Sequence, residues 1–221
     1  MKSLIVASVA IGMMSSVVHA ECFLEKLVSS TNVVSSSPYA TGGDVVMRIG
    51  DETYVHVFTN VIGVATFRPS RNLAARVFVV GGGGSGATGY YSQAGGGGAG
   101  GVVDDVNAVF LSDNDYLIAV GRGGDAVTGN DMRPGMNGGD SSVLGEGLSV
   151  AVAAGGSGGG GFHNNSPNSP YIKGRDGGSG GGGGGSTSTG AVGGQPIAGQ
   201  GCAGGACYAN GGNSSGGGGG G

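Results

Sequence analysis

Glycine supplies 56 of the 221 residues, in runs such as Gly81–Gly84, Gly95–Gly98, Gly158–Gly161, Gly180–Gly185 and Gly216–Gly221. Each glycine loses more backbone freedom on folding than any other residue and gives no side chain to a core. Runs of this kind are therefore either left without order or packed backbone against backbone. Either way, function is expected in a surface, not in a catalytic pocket.

The first twenty residues read as a leader and not as part of that fold. Lys2 gives a positive start, Leu4 to Met14 is a short apolar run, and Val18 and Ala20 stand at −3 and −1 of a cut before Glu21, the pattern of a cleaved secretory signal. The apolar run is too short to span a bilayer, and no transmembrane segment is expected. The chain is thus expected to be secreted, with segments 1–20 (leader), 21–43 (short helix and linker), 44–154 (β-rich) and 155–221 (glycine tracts). Within the second segment, Phe23, Leu24, Leu27 and Val28 of Cys22–Ser30 have helical spacing.

A formal charge of −4 with only ten Lys plus Arg argues against nucleic acid as a partner, because phosphate binding needs clustered cations. Three cysteines, Cys22, Cys202 and Cys207, are an odd number. In an oxidising compartment a Cys202–Cys207 disulfide would close a short glycine-rich loop, whereas a bridge from Cys22 to either is the alternative. Spacing does not choose between them.

From Asp44 to Val80 the pattern predicts strands: Val45–Ile49, Thr53–Phe58, Val64–Phe67 and Arg76–Val80, separated by turn residues as in an antiparallel β-sandwich. Beyond Val80, glycine tracts alternate with short apolar strands at 102–103, 108–111, 116–120 and 148–153. Glycine is not in strict every-third register, so a collagen helix is excluded. Polyproline-II geometry still suits the tracts, since neighbouring polyglycine helices can bond laterally when no side chains hold them apart.

The motifs T-Y-V-H-V-F-T (53–59), A-R-V-F-V-V-G-G-G-G-S-G (75–86), A-G-G-G-G-A-G-G-V-V (94–103), Y-L-I-A-V-G-R-G-G (116–124), N-G-G-D-S-S-V-L-G (137–145) and V-A-A-G-G-S-G-G-G-G (152–161) resemble the glycine-rich domain of phage tail-fibre adhesins and of secreted structural proteins. More distantly they resemble the glycine-rich extracellular domain of receptor kinases. The resemblance implies a mainly β fold: a sandwich-like entry region, then a brick of packed polyglycine-II helices with short strands and variable recognition loops at its tips. A secretory leader departs from the phage proteins, and the lack of a kinase departs from the receptors.

Enzyme-like motifs are weak. Gly81, Gly83 and Gly86 fit G-x-G-x-x-G after a strand, but that fingerprint needs a helix to open at the glycines, and Ala87–Ala94 followed by four more glycines makes a poor one. No Gly-Lys-Ser/Thr phosphate loop occurs, and nothing marks a nucleophile elbow. His56 reads as a strand side chain. Asp104/Asp105, Asp113/Asp115 and Asp125/Asp131 match neither calcium-loop pattern and read as solvated turns. No catalytic residue, cofactor or metal is expected.

Recognition is expected in two interruptions of the tracts. Tyr90 and Tyr91 form one, and Phe162–Tyr171, with His163 and Asn164, forms the other. Aromatics beside Asn and Ser suit stacking on, and hydrogen bonding to, a glycan or protein surface; the bland alternative is that they cover the edges of the brick. Asn164 and Asn213 begin glycosylation sequons. Expected partners are extracellular matrix or cell-surface glycan or protein, with self-association as a further option. The leading expectation is a structural matrix, coat or wall protein, the alternative an adhesin, and a hydrolase a distant third.

Overall fold

The computed structural model describes residues 3–7, 32–34, 39–49, 53–59, 62–89, 94–129, 133–152, 154–159, 171–185, 190–208 and 219–220. The helix expected within 22–30 lies outside them. Among the described residues the chain is mainly β, and none is helical.

The strands are β1 (Ser3–Ala7), β2 (Asn32–Val34), β3 (Ala40–Thr41), β4 (Val45–Ile49), β5 (Thr53–Phe58), β6 (Val64–Pro69), β7 (Leu73–Val80), β8 (Val102–Phe110), β9 (Tyr116–Ala119), β10 (Ser141–Gly145) and β11 (Leu148–Val152). They form a six-stranded sheet, β2-β4-β5-β1-β7-β8, and a five-stranded sheet, β11-β10-β9-β6-β3. The expected strands over 45–49, 53–58, 64–67 and 76–80 are present, two of them longer than expected. The short strands at 102–103 and 108–111 are one continuous strand, β8.

Pairing is antiparallel between β4 and β5, β6 and β9, and β9 and β10. The exception is β1, which lies parallel to both β5 and β7, with Ile5 opposite His56 on one side and Val77 on the other. β1 falls within the segment read as a leader. A cut before Glu21 would remove this pairing.

The chain divides into two compact units: Met1–Val79 with Val103–Val120 and Ser141–Ala151, and Val80–Val102 with Gly121–Asp140 and Val152–Gly221. In the first unit, side chains do the packing. β7 alternates strictly at its start, with Leu73, Ala75, Val77 and Val79 buried and Ala74 and Arg76 exposed, the period of a half-buried strand. The interior is aromatic. Phe67 meets His56, Phe58 and Phe110 edge-on at 5.1, 6.5 and 5.2 Å between centroids, and Phe110 meets Tyr116 at 4.7 Å, the geometry that sets a positive ring edge against a negative ring face. The Tyr116 hydroxyl is satisfied by backbone alone: it accepts from Leu111 N at 2.7 Å and donates to Glu146 O at 3.1 Å.

In the second unit, backbone does the packing. Gly81, Gly84 and Ala87 donate to the carbonyls of Gly101, Gly98 and Gly95; Gly82, Ser85 and Thr88 donate to those of Gly139, Met136 and Arg133. Both ladders advance by three residues. The same step joins Gly95 and Gly98 to Gly159 and Gly156, Ser179 and Gly182 to Ala99 and Gly96, and Gly180 and Gly183 to Cys202 and Gly205. Each tract thus bonds to several neighbours, so the tracts form a two-layered or deeper lattice and not a sheet.

Glycine is required where tracts face one another. Gly155, Gly156, Gly158 and Gly159 are buried, as are Gly178 and Gly180–Gly185, and a Cβ at Gly156 or Gly158 would overlap the carbonyl of Arg175 or Gly95. Where a tract faces solvent, side chains return at the same step of three: Arg122 and Asp125, Arg133 and Met136, and Ala203 and Ala206 are all exposed.

Candidate interaction surface

The lattice ladders fix which chain connections share an end. Thr88 bonds to Arg133, Ala87 to Gly95, Gly95 to Gly159, Gly159 to Gly182, Gly184 to Ile172, and Cys207 to Ala191, and Gly185 bridges Gly190. Gly89 and Ala94, Gly129 and Arg133, Gly159 and Tyr171, Gly185 and Gly190, and Tyr208 therefore all lie at one end of the second unit. These residues bracket segments 90–93, 130–132, 160–170, 186–189 and 209–218, all outside the described residues. The described residues beside these five segments, distant in sequence, thus share a single end of the second unit.

Most of the expected recognition residues belong to those segments. Tyr90, Tyr91, Phe162, His163 and Asn164 lie outside the described residues, and so do Asn213 and Cys22. Tyr171, at the border, is 55% exposed. Tyr208, at the same end, is 81% exposed, and sequence reasoning passed over it. Its signal was there to read: Cys-Tyr-Ala-Asn-Gly-Gly-Asn closes a glycine tract with an aromatic near asparagine, the composition that singled out Phe162–Tyr171.

Cys202 is exposed and Cys207 buried, and both are thiols. Five residues of extended chain at about 3 Å each separate them by about 15 Å, over twice the span of a disulfide. Burial raises the Cys207 thiol pKa above its ordinary value, against a lesser opposing effect of the Ala191 backbone, so the reactive thiolate is disfavoured there.

Three of the six acidic residues considered for calcium pair with arginines. Asp104 takes both Nε and Nη2 of Arg76, Asp115 pairs with Arg68 at 3.0 Å and Asp125 with Arg122 at 2.7 Å. The hydrogen bonds from Arg76 hold the Asp104 carboxyl below its usual pKa. Among the described residues, no group of three His, Cys, Asp or Glu could hold a metal ion. Around the G-x-G-x-x-G motif, the amides of Gly81, Gly82, Gly84 and Ser85 are bonded to lattice carbonyls, and residues 81–88 are not helical.

His56 is a core residue of β5, 1% exposed, its Nδ1 2.7 Å from Gly42 O. Gly42 adopts φ +105°, and a Cβ there would overlap Thr66 O, so only glycine delivers that carbonyl to the imidazole without strain. Burial lowers the His56 pKa, with the Gly42 hydrogen bond opposing as the smaller effect.

A family model described as a glycine-rich domain matches residues 59–221, which takes in everything from the end of β5 and all of the lattice. The chain belongs to the glycine-rich domain family. No curated protein and no solved structure matches it. Within this glycine-rich domain the candidate surface is the end of the lattice at which those bracketing residues lie, with Tyr171 and Tyr208 exposed there. No described helix is long and apolar enough to cross a membrane.

Proposed function

We propose that the protein is a secreted, non-enzymatic structural component of a matrix, coat or wall, in which a rigid glycine scaffold holds surface loops out at one end. The observation that carries this reading is that the described residues on the borders of five sequence-distant interruptions share one end of the lattice. Rigid elements that aim variable loops in one direction are a common way to build a contact surface. The three-residue hydrogen-bond step supports reading the tracts as polyglycine-II helices, whose repeat is three residues per turn. The aromatic contacts of the first unit support a sandwich arrangement of its two sheets.

A second reading, an adhesin that binds a cell-surface glycan or protein, is favoured by the exposed rings of Tyr171 and Tyr208 beside the loops. An array of extracellular glycans separates the two: saturable, selective binding supports the adhesin, and insolubility without selective binding supports the matrix component. In either case, replacing Tyr90 and Tyr91 with Ser, or 162–171 with a Gly-Ser linker, abolishes surface binding and leaves the circular dichroism spectrum unchanged. Binding that survives both replacements removes the loops from the account. Intact mass of the exported protein, expected to begin at Glu21, tests secretion and cleavage together.

A further inference from the structure

Tract 178–185 is bonded to neighbouring tracts on most of its sides. Ser179 and Gly182 donate to the carbonyls of Ala99 and Gly96, Gly181 and Gly184 to those of Arg175 and Ile172, and Gly180 and Gly183 to those of Cys202 and Gly205. Gly156, Gly159 and Gly194 donate in turn to Ser179, Gly182 and Gly181. A groove is left between tract 95–101 and tract 200–208, and Gly219 and Gly220 lie in it. The Gly220 carbonyl accepts from Ala99 N at 2.9 Å, and the Gly220 amide donates to Gly180 O at 2.8 Å.

The walls of this groove do not depend on what fills it. Tract 95–101 is also held by the tracts at 81–87 and 154–159, and tract 200–208 by those at 178–185 and 190–196. Gly219 is exposed and Gly220 half-buried, so the groove is open to solvent. Its selectivity is for the absence of side chains. A Cβ on Gly219 would overlap Gly97 O, and one on Gly220 would overlap Cys202 O. Those carbonyls are backbone atoms of two different walls, so no change of rotamer relieves either overlap.

We propose that the groove between tracts 95–101, 178–185 and 200–208 is a binding site for an oligoglycine segment, filled in this structure by Gly219 and Gly220 of the run 216–221. The ligand class follows from the walls. They offer one amide, that of Ala99, and one carbonyl, that of Gly180, to a peptide unit, and they close on both sides over the Cα atoms. Only a chain without Cβ atoms meets both conditions at consecutive residues. The proposal rests on the scaffold reading and deepens it, by naming the kind of segment that the scaffold captures. A run on the same chain outcompetes a separate peptide, so the run has to be displaced before the site can be tested.

Hydrogen exchange of the Ala99 amide tests it, because Gly220 O is the acceptor of that amide. In a full-length variant carrying every change from Gly216→Ser to Gly221→Ser, Ala99 is expected to exchange about tenfold faster or more, while Gly156 and Gly159 stay protected. Hexaglycine at millimolar concentration is expected to restore slow exchange at Ala99, and hexaserine is not. Unchanged Ala99 exchange in the variant, no restoration by hexaglycine, or equal restoration by hexaserine overturns the proposal. Loss of Gly156 and Gly159 protection in the variant also overturns it, by making the run a strut without which the lattice does not form. Fast exchange of Gly156 and Gly159 in the unaltered chain removes the scaffold reading itself.

Discussion

The two units bury their backbones by opposite means. In the first, Phe58, Phe67, Phe110 and Tyr116 fill the space between strands, and the loss of atoms is what harms it. In the second, Gly156, Gly158 and Gly180 let chains touch directly, and the gain of atoms is what harms it. The comparison teaches that a chain poor in large side chains can still form an interior, provided that almost every amide in it meets a carbonyl. Burial there is a property of backbone spacing and not of hydrophobic volume.

The largest expected effect is in the first unit. Phe67 is fully buried and touches three rings, so Phe67→Ala is expected to cost about 3–5 kcal/mol in denaturant unfolding; a cost below about 1 kcal/mol would show that the aromatic cluster is not its core. In the second unit the reverse change matters. A Cβ at Gly158 would overlap Gly95 O, whereas one at Gly83 meets Gly98 O at an ordinary 3.5 Å. Gly158→Ala is therefore expected to destabilise by about 1–3 kcal/mol and Gly83→Ala to be close to neutral. Equal melting temperatures for the two variants would contradict backbone packing.

A smaller effect follows from His56, and only in the first unit. Its folded pKa lies below the unfolded value of about 6.5, so the folded state prefers the neutral ring. Its contribution is fully present above the unfolded pKa. As pH falls below about 6.5 the unfolded state binds more protons and stability declines, by at most about 1.4 kcal/mol per unit, until the folded ring also protonates. His56→Phe is expected to flatten the melting-temperature profile between pH 6.5 and the carboxylate range, and an unchanged slope would assign that dependence to other groups. The gentlest probe is thiol labelling in the second unit. Cys202 is expected to react with a maleimide faster than Cys207, whose burial disfavours the thiolate, and equal rates would show that the end of tract 200–208 is open.

The first unit was legible where hydrophobic patterning was strong. β4 and β5 stand in the sequence as Val-Val-Met-Arg-Ile and Thr-Tyr-Val-His-Val-Phe. β10 did not stand out, because Ser141 and Val143 are the only buried residues of Ser-Ser-Val-Leu-Gly and its strand conformation depends on pairing with β9. β1 was hidden by its place in an apolar run that reads as a leader. His56 could be read as a strand residue, but its partner Gly42 lies fourteen positions away and reaches it through a backbone conformation that sequence does not declare.

The tracts were legible as backbone-rich and as suited to a three-residue repeat, but which positions of that repeat face inward was not. Glycine stands at inward and outward positions alike, which blurs the period. The period is seen only where outward side chains such as Arg122 and Asp125 mark it. The interruptions of the tracts could be read from the sequence, but that the residues bordering them share one end is set by ladders such as Thr88 to Arg133 and Gly159 to Gly182, which no local pattern reveals.

Amide hydrogen exchange at the tract glycines tests the central claim most directly, because exchange reports hydrogen bonding of individual amides under native conditions. The account predicts that Gly95, Gly98, Gly156 and Gly159 exchange as slowly as the amides of β5 and β7. Exchange of these four glycines at the rate of an unfolded chain would contradict it.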